Sequence, residues 1–172
     1  MKHIAERVNK VVGTLLTFLM VVIVLDVTWQ VLTRFVLKNP SSFTEELAGF
    51  LLIWIGLLGG GYAFYTRSHL GIDVLTYKLK GSKKRMVDTL VNSLVFLFAA
   101  LVMVAGGVRL VILTFTLNQI SPALGIKMGY VYLVIPLSGV LIMLYSVAFV
   151  LEAHKKEPGE KEHGVSVVDR IG

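Results

Sequence analysis

Asp26, Gln30 and Arg34 lie four residues apart along one face of an otherwise apolar run, Val11–Val36. An aspartate near the middle of a membrane helix costs about 2.5–3.5 kcal/mol on insertion scales, so it must face protein or water and find a partner. Arg34 is about 12 Å of helical rise from Asp26, too far for direct pairing, with Gln30 between them. Arg109 reaches a similar depth in another apolar run and is the expected cation for Asp26, or for Glu45 and Glu46. Such charges could line an ion or substrate path, or form a polar clamp between helices or subunits. A carrier path calls for interrupted helices around a midplane site, or for several acids at one depth. Asp26 is the only acid deep in any apolar run, and the second and third runs read as continuous. The clamp, formed by Asp26, Gln30, Arg34 and Arg109, is the favoured reading.

Other chemistry is sparse. Glu45, Glu46 and Lys127 lie between apolar runs, on one side, where a soluble partner could meet them electrostatically. Arg67, His69 and Asp73 cluster on the other side; His69 and Asp73 have i, i+4 spacing and could hydrogen-bond, or all three could simply contact headgroups. All four histidines fall outside the apolar runs, which leaves no intramembrane pair to hold haem. The chain has no cysteine, so thiolate metal sites and disulfides are excluded. No phosphate-binding glycine loop and no nucleophile–base set is present. The expectation is no enzyme, no cofactor and no metal.

The elements that must position these groups are membrane helices. Of 172 residues, 55% are hydrophobic and 16% charged, and the mean hydropathy is +0.76. A soluble domain carries about a quarter charged residues. Four runs are long enough to cross a bilayer as helices, at about residues 11–36, 47–65, 90–117 and 130–151. Thirteen of the 17 basic residues precede the first run, join the second to the third or follow the fourth. The positive-inside rule therefore puts both termini and the middle loop in the cytoplasm. The net charge of +6 reflects topology and lipid headgroups, not nucleic acid. The N-terminal run lacks a cleavage site and reads as a retained signal anchor.

The expected fold is an all-α integral membrane four-helix bundle, one domain over residues 1–152, with a disordered cytoplasmic tail at 153–172. Residues 69–80 pattern as a short interfacial helix, or as a loop whose apolar residues extend the membrane helices. Ser42 and Glu45 have capping-box spacing, placing the second helix start near Phe43. Gly49, Gly56 and Gly60 share one face of that helix and would admit a close helix neighbour, within this chain or from another. The loop Ser121–Gly129 combines turn residues with apolar ones, and should tuck against the bundle or be covered by a partner.

Ordered motifs across about residues 8–152 resemble the small membrane subunit of TRAP (tripartite ATP-independent periplasmic) transporters. They are WQVLTRF at 29–35, Asn39-Pro40, TEEL at 44–47, RSHLGID at 67–73 and SPALGIKMGY at 121–130, leading to Pro136. Phe43 stands where many members have tryptophan. The resemblance implies a bacterial inner-membrane protein working with a large, elevator-type carrier subunit and a periplasmic substrate-binding protein. In that scheme the small subunit is a non-carrying scaffold of a sodium-driven transporter for organic acids such as sialic acid or C4-dicarboxylates. Arg34, Glu45, Glu46, His69 and Asp73 would then serve assembly or docking. The rivals are a self-sufficient carrier using Asp26 and an assembly factor of another membrane complex.

Overall fold

The structure is a computed structural model that describes residues 2–38, 41–66 and 82–155. Its elements are helices throughout: α1 (Lys2–Phe35), α2 (Ser42–Tyr65), α3 (Ser82–Phe98), a π-helical stretch (Ala99–Gly106), α4 (Gly107–Thr116), α5 (Met128–Tyr132) and α6 (Val134–Lys155). Four helical stretches are long and apolar enough to cross a membrane: His3–Phe35, Ser42–Tyr65, Thr89–Thr116 and Met128–Leu151. The expected interfacial helix at 69–80 lies outside the described residues, as does the expected disordered tail at 153–172 except for residues 153–155, which continue α6 as helix instead.

The first helix begins nine residues before its apolar run and is about 51 Å long. It is therefore longer than the roughly 30 Å hydrocarbon layer and must tilt or project beyond it. Among its buried and half-buried positions, which also include Val8, Gly13 and Val22, one set is Ala5, Asn9, Val12, Leu16, Leu19, Ile23, Asp26, Gln30 and Thr33. They alternate by four and three residues, the 3.5-residue period that keeps one seam against a neighbouring helix. That neighbour is α2, which runs antiparallel: Leu16 faces Gly59, and the Tyr62 ring covers Gly13.

The second helix is capped differently from the sequence expectation. Ser41 is the N-cap and its side chain makes no capping hydrogen bond. The Thr44 hydroxyl instead donates to the Ser41 carbonyl at 2.9 Å, so the Ser42–Glu45 capping box does not form.

The third span is one helical run, as expected, but it is not regular α-helix throughout. After α3 the chain widens into π-helix through Ala99–Gly106, a stretch with three alanines and a terminal glycine, before α-helix resumes. The fourth span is broken near Leu133, ahead of Pro136, whose ring would clash with the carbonyl four residues back. At that break the Trp54 indole Nε1 donates to the Val131 carbonyl at 3.1 Å, fastening α2 to the fourth span. Glycines supply the close approach between the third and fourth spans. A Cβ on Gly139 would sit 2.7 Å from the Met103 Cβ, and one on Gly107 2.9 Å from Pro136 and Ile135. The Ser146 hydroxyl also donates to the Asn92 carbonyl across this interface.

The helices form an open row. α1 packs on α2, α2 on α6, and α6 on the third span; α1 meets α6 only slightly and does not touch the third span. Val12, Leu58 and Val134 mark the centre, with Leu58 buried between its neighbours. The outward surfaces are lined by large apolar side chains, as lipid requires.

Candidate functional site

The best-defined polar construction lies where the N-terminal end of α2 meets the loop that follows α4. The third span ends in a Schellman arrangement. The Gln119 amide donates to the Thr114 carbonyl and the Asn118 amide to the Phe115 carbonyl, both at 3.1 Å, with Asn118 in left-handed backbone (φ 46°). Asparagine tolerates that conformation better than most residues. The chain then folds on itself: the Ser121 amide donates to the Ile126 carbonyl at 2.9 Å, the Gly125 amide to the Ser121 carbonyl at 3.0 Å, and the Met128 amide to the Gln119 carbonyl at 2.9 Å. Gly125 supplies the left-handed turn (φ 67°).

Glu46 holds this loop. Its Oε2 accepts the amide N–H of Ala123 at 2.8 Å and of Leu124 at 2.9 Å, and the Ser121 side chain also hydrogen-bonds this carboxylate. Charge-assisted bonds to two successive amides make a rigid clasp. Glu45, one residue earlier, points outward and is exposed, as is Lys127 at the far side of the loop. Leu117, Ile120, Ile126 and Tyr130 present apolar surface around Lys127. Gly129 seats the loop's end against Phe115: a Cβ there would fall 2.5 Å from the ring.

Among the described residues the expected clamp is not closed. Asp26 is 9% exposed, and its Oδ2 has no hydrogen-bond partner among the described residues. No ion pair joins Arg109 to Asp26, Glu45 or Glu46, and both Arg109 and Arg34 are exposed. The cause is topological: α1 and the third span do not touch, so equal depth does not bring Asp26 and Arg109 together. The polar seam of α1 runs instead through Asp26, half-buried Gln30 and buried Thr33, whose hydroxyl returns to the Gln30 carbonyl at 2.9 Å. Arg67, His69 and Asp73 lie outside the described residues.

Gly49, Gly56 and Gly60 do share a face, but nothing among the described residues packs against these glycines. A Cβ added at any of the three would meet nothing within 4 Å. With Glu45 and Leu52 they form one exposed stripe along α2. The close-packed glycines are Gly13, Gly107, Gly129 and Gly139. Sequence reasoning missed these, because single glycines separated by ordinary residues carry no stripe signature. It also missed the Glu46 clasp, since a turn with free amides does not identify which distant acid will reach it. The 4–3 periodicity of α1 was readable and marks Asn9 and Thr33 as seam residues.

Residues 23–156 match the family described as Tripartite ATP-independent periplasmic transporters, DctQ component. A putative TRAP transporter small permease protein of Haemophilus influenzae is 23% identical over 142 residues, 83% of this chain and 86% of that one. The sialic acid TRAP transporter small permease protein SiaQ of Vibrio cholerae is 32% identical over 79 residues, 46% of each chain. The sialic acid TRAP transporter permease protein SiaT of Haemophilus influenzae is 30% identical over 118 residues, 66% of this chain but 18% of that much longer one.

Proposed function

The chain belongs to the DctQ component family of TRAP transporters, and from that premise we propose that it is a stationary, non-carrying scaffold for a large membrane subunit. That companion is an elevator-type carrier driven by sodium and fed by a periplasmic binding protein. The setting is the bacterial inner membrane, with both termini of this chain cytoplasmic. The cargo is an organic acid of the sialic acid or C4-dicarboxylate class, chosen by the other polypeptides.

The observation that carries this reading is the outward stripe Glu45–Gly49–Leu52–Gly56–Gly60 on α2. Helix association in lipid depends on close backbone approach, because lipid tails are as apolar as leucine. A glycine stripe with no mate among the described residues is a socket for a helix of another chain. The length of SiaT supports the same view, since its stretch resembling this chain is part of a far larger permease. Asp26, Gln30, Arg34 and Arg109 then serve assembly across the subunit boundary, and Arg67, His69 and Asp73 serve it on the inner side. On the outer side Glu46 shapes the loop while Glu45 and Lys127 face the binding protein.

Leucine at Gly49 and Gly56 tests the proposal. Co-expressed with the large subunit, the doubly substituted chain should insert and fold normally yet no longer co-purify. Undiminished co-purification and uptake would overturn the assignment of this face.

A further inference from the structure

At the N-terminal end of α1 a groove of about 750 Å³ opens between α1 and α2, within the range of about 300–1,000 Å³ typical of small-molecule sites. We propose that it is a binding site for one phospholipid with a primary-ammonium headgroup, its phosphate on Lys10 and its ammonium on Glu6.

The groove is graded in polarity along the helix axis. Along α1 its lining runs from Glu6, Asn9 and Lys10 to Leu16, Thr17 and Met20, and Tyr62 and Tyr65 of α2 line it as well, with Tyr62 beside Gly13. From Glu6 to Met20 is about 21 Å of helical rise, the direction and scale of a headgroup followed by an acyl chain. Glu6 and Lys10 are one turn apart and of opposite sign, which matches a zwitterion and not a purely anionic headgroup. Thr14 and Thr17 add no free donor lower down: each hydroxyl donates at 3.0 Å to the carbonyl four residues earlier, Lys10 and Gly13 respectively. The lower groove is thus effectively apolar.

Asn9 supplies an independent sign of a ligand. It lines the groove, is 8% exposed, and its side-chain oxygen is buried with no hydrogen-bond partner among the described residues. A buried amide oxygen left unpaired is costly, and an ammonium is a suitable donor for it. His3 also stands beside Glu6, with its Nδ1 3.6 Å from the carboxylate, and Tyr62 and Tyr65 line the groove from α2. His3 is almost fully exposed, so it can swing aside for an ammonium.

The test uses the full chain, delipidated in detergent and titrated with phosphatidylethanolamine, phosphatidylcholine or phosphatidylglycerol, with retention read by native mass spectrometry. Phosphatidylethanolamine should be retained best. Glu6→Gln and Lys10→Gln should each weaken its retention roughly threefold, the size expected of a partly exposed charge contact. Thr17→Phe, which fills the lower groove and gives up only the Thr17 hydroxyl's bond to the Gly13 carbonyl, should abolish retention while helical content stays unchanged. Equal retention of all three lipids, or indifference to these substitutions, would overturn the proposal. A photo-crosslinker at Thr14 supplies a second arm in the assembled complex. Adducts with lipid support the site, whereas adducts with the large subunit alone would show a protein segment as its occupant.

Discussion

Glu45 and Glu46 are neighbours with different fates, and the difference is testable residue by residue. Glu46 accepts two amide protons of the outer loop; Glu45 faces outward. In hydrogen-exchange mass spectrometry, Glu46→Gln should speed exchange at Ala123 and Leu124 several-fold, and Glu45→Gln should leave them as they are. Equal exchange in both variants would mean that the clasp does not order the loop. Asp26 and Arg109 offer the opposite case. They lie on elements that do not touch, so a double-substitution cycle on the isolated chain should give a coupling within about 0.5 kcal/mol of zero. A larger coupling appearing only with the large subunit present would identify that subunit as the bridge. The sequence made the individual charges conspicuous, because an acid in an apolar run is rare. It did not reveal their partners, because depth along a helix says nothing about which helices are adjacent.

The helices themselves were legible from the length of each apolar run, and their ends were not. Ser42 and Glu45 have the spacing of a capping box, yet the chain enters the helix one residue earlier, at Ser41. The π-helical stretch Ala99–Gly106 has no proline to announce it, and the uninterrupted apolar pattern read as one regular helix. Packing between elements turns on glycines whose value depends on what lies opposite. Gly129→Ala should destabilise the chain in detergent by about 1–3 kcal/mol, the usual cost of overpacking, because its Cβ would press on Phe115. Gly56→Ala meets open space and should be neutral or stabilising by up to about 1 kcal/mol. If chemical unfolding ranks the two the other way, the assignment of inner and outer glycines is wrong. Leu58→Ala, at the centre of the row, should cost about 2–5 kcal/mol by the same measurement.

At the scale of the whole molecule, family membership was visible in the order of short motifs, several of which fall at structural turning points. TEEL carries the clasp, SPALGIKMGY is the loop it holds, and Pro136 follows the break in the last span. Reconstituted alone into vesicles, the chain should show no sodium or organic-acid flux above empty vesicles; flux from it alone would favour the rival carrier. The row arrangement was beyond reach of the sequence, which gives four spans but not their order in the plane. That order has a mechanical consequence. Four cylinders side by side have a wider perimeter than four in a ring, and so are wetted by more lipid molecules per helix. In the proposed assembly, a vertical force from a gliding companion has to drag that whole annulus with it, which is how a polypeptide this small would hold its level in the bilayer like a keel.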